Sequence, residues 1–201
     1  MNARVNATPP PSLPQVLLLV ADWEEPTWRA QVARERLRRL TRVALAELAL
    51  RTGEAPDAWP KDADGAPTPL ADGRHWSVSH AGGFAAAALS RGPRLGVDVE
   101  PASRVPSDHL VTKLRALGAR ADDARGWLAA WCRVEAALKC FGLGIGHLSK
   151  VRLEDALVRV GDGSVMTRLF DLGDALLAVG GGGVCAMDPP EVRSVGVEVA
   201  A

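Results

Sequence analysis

The chain has 201 residues, 47% of them apolar, and its 24 basic and 24 acidic side chains balance to zero. This composition is globular rather than disordered, and the length suits one domain or two small halves with a real core. Neutral overall charge argues against a broad nucleic-acid surface, and the odd set Cys132, Cys140 and Cys185, lacking any metal-type pair, predicts reduced thiols.

Residues 1–12 are polar and proline-rich and read as a loose tail. The apolar run 16–20 reads as a buried strand. It is far too short to cross a membrane. Arg4 stands alone with no small-residue cleavage site after it, so no signal peptide is expected and a cytoplasmic protein is. A long helical pattern follows over 26–51, with Pro26 or Thr27 at its start and Gly53 as its stop. Leu37, Leu40, Val43 or Ala44, and Leu48 recur at helical spacing on it. Residues 54–74, rich in Pro, Gly and Asp, are expected to be mostly loop.

Three strands are predicted next, over 75–80, 84–90 and 95–100. The turns between them, Ala81-Gly82-Gly83 and Arg91-Gly92-Pro93, suggest an antiparallel meander. Residues 101–120 are ambiguous apart from a helix over 108–117. A second long helix is predicted over 122–141, where Trp127, Trp131, Val134, Leu138 and Phe141 form one apolar stripe and Gly142 ends the pattern. After a glycine-rich flexible stretch, 142–146, come strand-like runs at 151–153, 165–170 and 175–179, with a further strand candidate at 184–187. The order strand, helix, strands, then helix, strands fits two α+β halves.

Four groups of residues have the chemistry for a site. In Gly96-Val97-Asp98-Val99-Glu100 the two acids project from one strand face and the valines from the other. Carboxylates held this close repel unless a cation lies between them, and hard oxygen ligands favour magnesium. The plainer reading is an exposed strand face. Glu135 and Lys139 are neighbours on the second helix, beside its apolar stripe. They are either an ordinary surface pair or a metal ligand or base with a phosphate-binding lysine. Ser77, Ser79 and His80 precede a glycine-rich turn of the kind that lets backbone approach a phosphate. A serine hydrolase is a poor fit, because Ser79 and His80 point to opposite sides and no Gly-x-Ser-x-Gly elbow is present. Arg34, Arg38 and Arg42 share one face of the first helix, which is either a solvated face or a phosphate or acidic-partner site.

Taken together, the segments Trp76-Ser77-Val78-Ser79-His80, Gly96-Val97-Asp98-Val99-Glu100 and Trp131-Cys132-Arg133-Val134-Glu135-Ala136-Ala137-Leu138-Lys139 resemble, in order and separation, the motifs of the 4'-phosphopantetheinyl transferase superfamily in its longer single-chain form. The similarity spans residues 15–190, anchored between 76 and 146. It implies an α+β fold of two similar halves forming a pseudo-dimer, here an N-terminal half over 13–94 and a C-terminal half over 95–201. It further implies that Asp98, Glu100 and Glu135 bind magnesium, that Ser79, His80 and Lys139 lie against coenzyme A phosphates with Arg34 and Arg38 in support, and that Glu135 helps deprotonate the acceptor. The implied catalytic pair is Glu135 and Lys139. The implied reaction moves phosphopantetheine from coenzyme A to a serine of an acyl, polyketide or peptidyl carrier protein, releasing 3',5'-ADP. A monomer is expected, with no nucleic-acid or membrane partner.

The pattern departs from the family at two places. Val134 stands where many members have Lys, and Gly65-Ala66-Pro67 where many have Gly-Lys-Pro, with Lys61 or an arginine as a substitute. Those losses support a competing reading, a non-catalytic module that binds coenzyme A or a carrier protein. A nucleic-acid-binding protein using the arginine-rich helix is a third reading, opposed by the lack of aromatic residues near that helix other than Trp28.

Overall fold

The structure is a computed structural model that describes residues 13–22, 30–52, 58–92 and 94–196. The tail over 1–12, the helix start at Pro26 or Thr27, the stop at Gly53, and Trp28 and Pro93 lie outside the described residues. The fold is mixed α+β, built on two sheets. Sheet one has the order β2-β3-β1-β9 and sheet two β4-β8-β7-β6-β5. The strands are β1 (Gln15–Asp22), β2 (His75–Ala81), β3 (Phe84–Ser90), β4 (Leu95–Pro101), β5 (Val151–Glu154), β6 (Leu157–Val160), β7 (Gly163–Asp171), β8 (Ala175–Gly181) and β9 (Glu191–Gly196). The helices are α1 (Ala30–Arg51), α2 (Asp108–Ala116) and α3 (Ala124–Cys140).

Alternation along β1 and β3 sets the layers. Leu17, Leu19 and Ala21, with Ala85, Ala87 and Leu89, face Leu37, Leu40, Ala44, Leu45 and Leu48 of α1. On α1 it is Ala44 that enters the core, while Val43 is exposed. The opposite faces of the same strands, Val16, Leu18, Ala86 and Ala88, pack on Val97, Val99, Leu177 and Val179 of sheet two. Behind sheet two, Leu128, Cys132 and Ala136 of α3 cover Leu176 and Ala178. The apolar stripe of α3 turns instead toward α2, β5 and β6. Ser107 and Asp123 cap α2 and α3, each side chain accepting a backbone N–H of the first turn.

Three expectations need correction. Only β2 and β3 form the predicted antiparallel hairpin; β4 leaves sheet one and pairs with β8, so there is no three-stranded meander. Its valines are needed between the sheets, which sets β4 as the edge of the second layer. Residues 184–186 form a 3-10 turn rather than a strand, following Gly183 at a positive φ of 77°. The stretch after Gly142 is likewise not loose throughout, since Ile145–Lys150 form a 3-10 helix. Two strands went unpredicted. β6 forms a tight hairpin with β5, and β9 returns to sheet one as a parallel neighbour of β1.

Candidate functional site

Two edge strands meet where the sheets join. Ser77 Oγ of β2 accepts the backbone N–H of Val97 at 3.0 Å, and Ser79 Oγ donates to Asp98 Oδ1 at 2.7 Å. With Val97 and Val99 committed to the space between the sheets, Asp98 and Glu100 turn toward α3. The helix comes unusually near at this point because position 96 is glycine. A Cβ there would stand 2.0 Å from the Ala136 carbonyl oxygen and 2.6 Å from the Cys140 nitrogen. The helix backbone thus rests on the strand, and Glu135 and Lys139, one turn apart, flank the acids.

Lys139 Nζ donates to Asp98 Oδ1 at 2.7 Å and to the Val97 carbonyl at 3.0 Å, and lies 3.9 Å from Glu135 Oε2. Arg104, four residues beyond Glu100, forms an ion pair with Glu100 Oε1. Asp98 and Glu100 are only 3% and 5% exposed. Their other oxygens, Asp98 Oδ2 and Glu100 Oε2, are buried and lack a well-formed hydrogen bond, with the Cys132 thiol close to Asp98 and Trp131 close to Glu100. Buried, unmatched carboxylate oxygens are costly, and such groups in a native structure need an explanation.

The electrostatics agree. Burial, reinforced by the charge of Asp98 and opposed by Lys139, pushes the Glu135 carboxyl up to about 7. Burial also raises Glu100, with Arg104 opposing it and Asp98 adding to it. His80, half-buried at the end of β2, is lowered mainly by burial and also by the positive charges of Lys139 and Arg38. It is therefore neutral at pH 7.

Among the described residues no group of three or more His, Cys, Asp or Glu side chains is drawn together closely enough to hold a metal ion. The donor chemistry, rather than the spacing, fits a hard divalent cation: two unmatched buried oxygens and a third acid whose charge is suppressed first by burial and then by the charge of Asp98. Lys139 and Arg104 stand against the acids as internal countercharges.

A small niche next to the acids is lined by His75, Arg94 and Lys139 and bounded by Pro67 and Thr68. The Trp76 indole N–H donates to the Thr68 carbonyl at 3.0 Å, which pins that loop beside β2. Lys61, the substitute suggested for Ala66, sits 5.8 Å from the centre of the Trp76 ring. Three basic side chains thus border one small space, with His75 lowered by burial and by the charge of Arg94.

The structure thus brings Ser79, His80, Asp98, Glu100, Glu135 and Lys139 together. Of the α1 arginines, Arg38 is near enough for its charge to act on His80, whereas Arg34 lies one turn earlier on the exposed helix face. The Ala81-Gly82-Gly83 turn serves packing: a Cβ on Gly82 would lie 2.7 Å from Pro101 Cγ. Val134 is fully buried and belongs to the core. Sequence reasoning missed Arg104, Arg94 and His75. Each is a lone basic residue outside any periodic pattern, and only the meeting of β2, β4 and α3 gives it a role. No family model matches the chain, and no curated protein matches it.

Proposed function

We propose that the protein is a magnesium-dependent 4'-phosphopantetheinyl transferase that modifies a serine of an acyl, polyketide or peptidyl carrier protein. The observation that carries this reading is the pair of buried, unmatched carboxylate oxygens on Asp98 and Glu100, set beside Glu135 and Lys139. Three acids next to basic side chains suit the handling of a metal-bound pyrophosphate, where charge neutralisation and alignment matter more than a reactive side chain.

In this reading Asp98, Glu100 and Glu135 would hold magnesium, which would supply charge neutralisation for the pyrophosphate of coenzyme A. Lys139 and His80 bind coenzyme phosphates, with Arg94 bordering the small niche beside Lys139. Glu135, directly or through a water, acts as the base, its carboxylate lying beside the acids and Lys139. It takes the proton of the carrier serine as the hydroxyl oxygen attacks the phosphorus joined to pantetheine. The bond from that phosphorus to the bridging pyrophosphate oxygen breaks, and 3',5'-ADP leaves with the electron pair. The proposed halves correspond to sheet one with α1 and sheet two with α3, apart from β9, which comes from the C-terminal half and joins sheet one, and the site lies where the two sheets meet. A monomeric, cytoplasmic protein accords with this reading. Among the described residues no helix is long and apolar enough to cross a membrane.

The test is mass spectrometry of a panel of apo-carrier proteins incubated with the protein, magnesium and coenzyme A. At least one carrier should gain the mass of phosphopantetheine. If all stay unmodified while a reference transferase modifies them, the chain is a binding module.

A further inference from the structure

Positions 133 and 135 differ by two, which is about 200° around a helix, so Arg133 points away from the acids. On its side of α3 lies a cavity of about 650 Å³, a size that suits a small organic ligand. Ala129 and Ala130 of α3 and Leu169 of β7 supply apolar wall, and Arg133 and Arg120 supply positive charge.

Arg133 is poorly matched by the protein. Its Nε donates to Thr167 Oγ1 at 2.9 Å, and that hydroxyl is itself engaged with the Ala156 carbonyl at 3.0 Å. Its Nη2 is closed off from solvent without a partner. Among the described residues it has no ion-pair partner. Burial draws its pKa below the ordinary arginine value, opposed only by the charge of Asp155. Two acids also line the cavity. Glu154 is taken by Arg159 at 2.8 Å, which leaves Asp155, whose charge acts on Arg133, as the one acid set against Arg120 and Arg133, so the lining carries net positive charge. A half-buried guanidinium resting on a neutral hydroxyl does not help folding; an apolar side chain of similar size would serve as well or better.

We propose that this cavity binds a small organic anion, whose carboxylate or phosphate pairs with Arg133 and whose apolar body lies on Ala129, Ala130 and Leu169. The site is separate from the acid cluster and does not depend on the transferase reading. The ligand supplies negative charge to the part of the Arg133 guanidinium that lines the cavity, beyond what Asp155 provides, while the closed-off Nη2 is not reached.

Titration calorimetry with phenyl phosphate, benzoate and phenol tests this on the wild type, Arg133→Met and Ala129→Leu. Both anions should bind the wild type at millimolar concentration, and phenol at least about tenfold more weakly, the difference made by one charge-assisted hydrogen bond. Arg133→Met should lose the preference for anions while melting at or above the wild-type temperature. Ala129→Leu keeps the charge but places a larger side chain against the wall where the apolar body of the ligand lies, and should weaken binding of all three ligands; it decides the matter if the first variant fails to fold. Phenol binding as tightly as the anions, anion binding unchanged in either variant, or no anion binding to the wild type would each overturn the proposal.

Discussion

Asp98 and Glu100 are almost wholly buried, yet each is met by a cation on one oxygen only. Glu135 completes a group of three acids served by two internal cations, and its raised pKa follows from burial and the Asp98 charge. An unfolded glutamate titrates near about 4.3. Between that value and about 7 the folded protein keeps a proton that the unfolded chain has released, so stability falls as pH rises through this window. Above the folded value the loss is complete. In metal-free buffer Glu135→Gln should melt with the wild type at pH 5 and above it at pH 8, by about 2 °C or more, the response of a chain this long to ~1 kcal/mol. Magnesium should narrow the difference at pH 8 by neutralising the wild-type acids. Melting curves at the two pH values check this, and superimposable curves at pH 8 would show that the carboxylate is not under strain.

At the scale of elements, the site depends on how closely α3 lies on β4. Gly96→Ala would drive a methyl into helix backbone, which cannot move aside as a side-chain tip can. Overpacking of this kind costs about 1–3 kcal/mol. Displacement of Glu135 and Lys139 by even about 1 Å should lower turnover roughly a hundredfold. Melting and single-turnover measurements on this variant should therefore both fall; normal turnover would mean that the helix position is not critical. Much at this scale was readable from sequence. The alternation in Gly96-Val97-Asp98-Val99-Glu100 placed both acids on one face, and the stripe from Trp127 to Phe141 put Val134 inward and Glu135 at its edge. Burial of those acids was not readable, because alternation tells which residues share a face and not what covers it. β6 was missed because four residues are too few to show a period, and β9 because Val192, Arg193 and Ser194 are exposed and only Val195 packs inward.

At the scale of the molecule, the switch of β4 into a second sheet was also beyond local pattern. A short turn before a strand signals a hairpin, but pairing is decided by which face needs covering, and Val97 and Val99 are covered by Val16, Leu18, Ala86 and Ala88. The two sheets then share one seam, and the basic residues that sequence left scattered, His75, Arg94 and Arg104, gather along it.

The parallel pairing of β9 with β1 joins Leu17 to Glu191, nearly the whole chain apart, and Glu191 and Arg193 tie it further to Arg51 and Glu47 of α1. Until residue 196 has been made, β1 carries an open edge, even though its partner β3 and its covering helix α1 are complete. Closing so long a loop comes late in folding. On the ribosome β1 therefore waits for β9, exposed to edge pairing with other chains. A chain ending at residue 190 should keep β4 to β8 protected in hydrogen exchange, lose protection in β1, and elute as larger species on gel filtration.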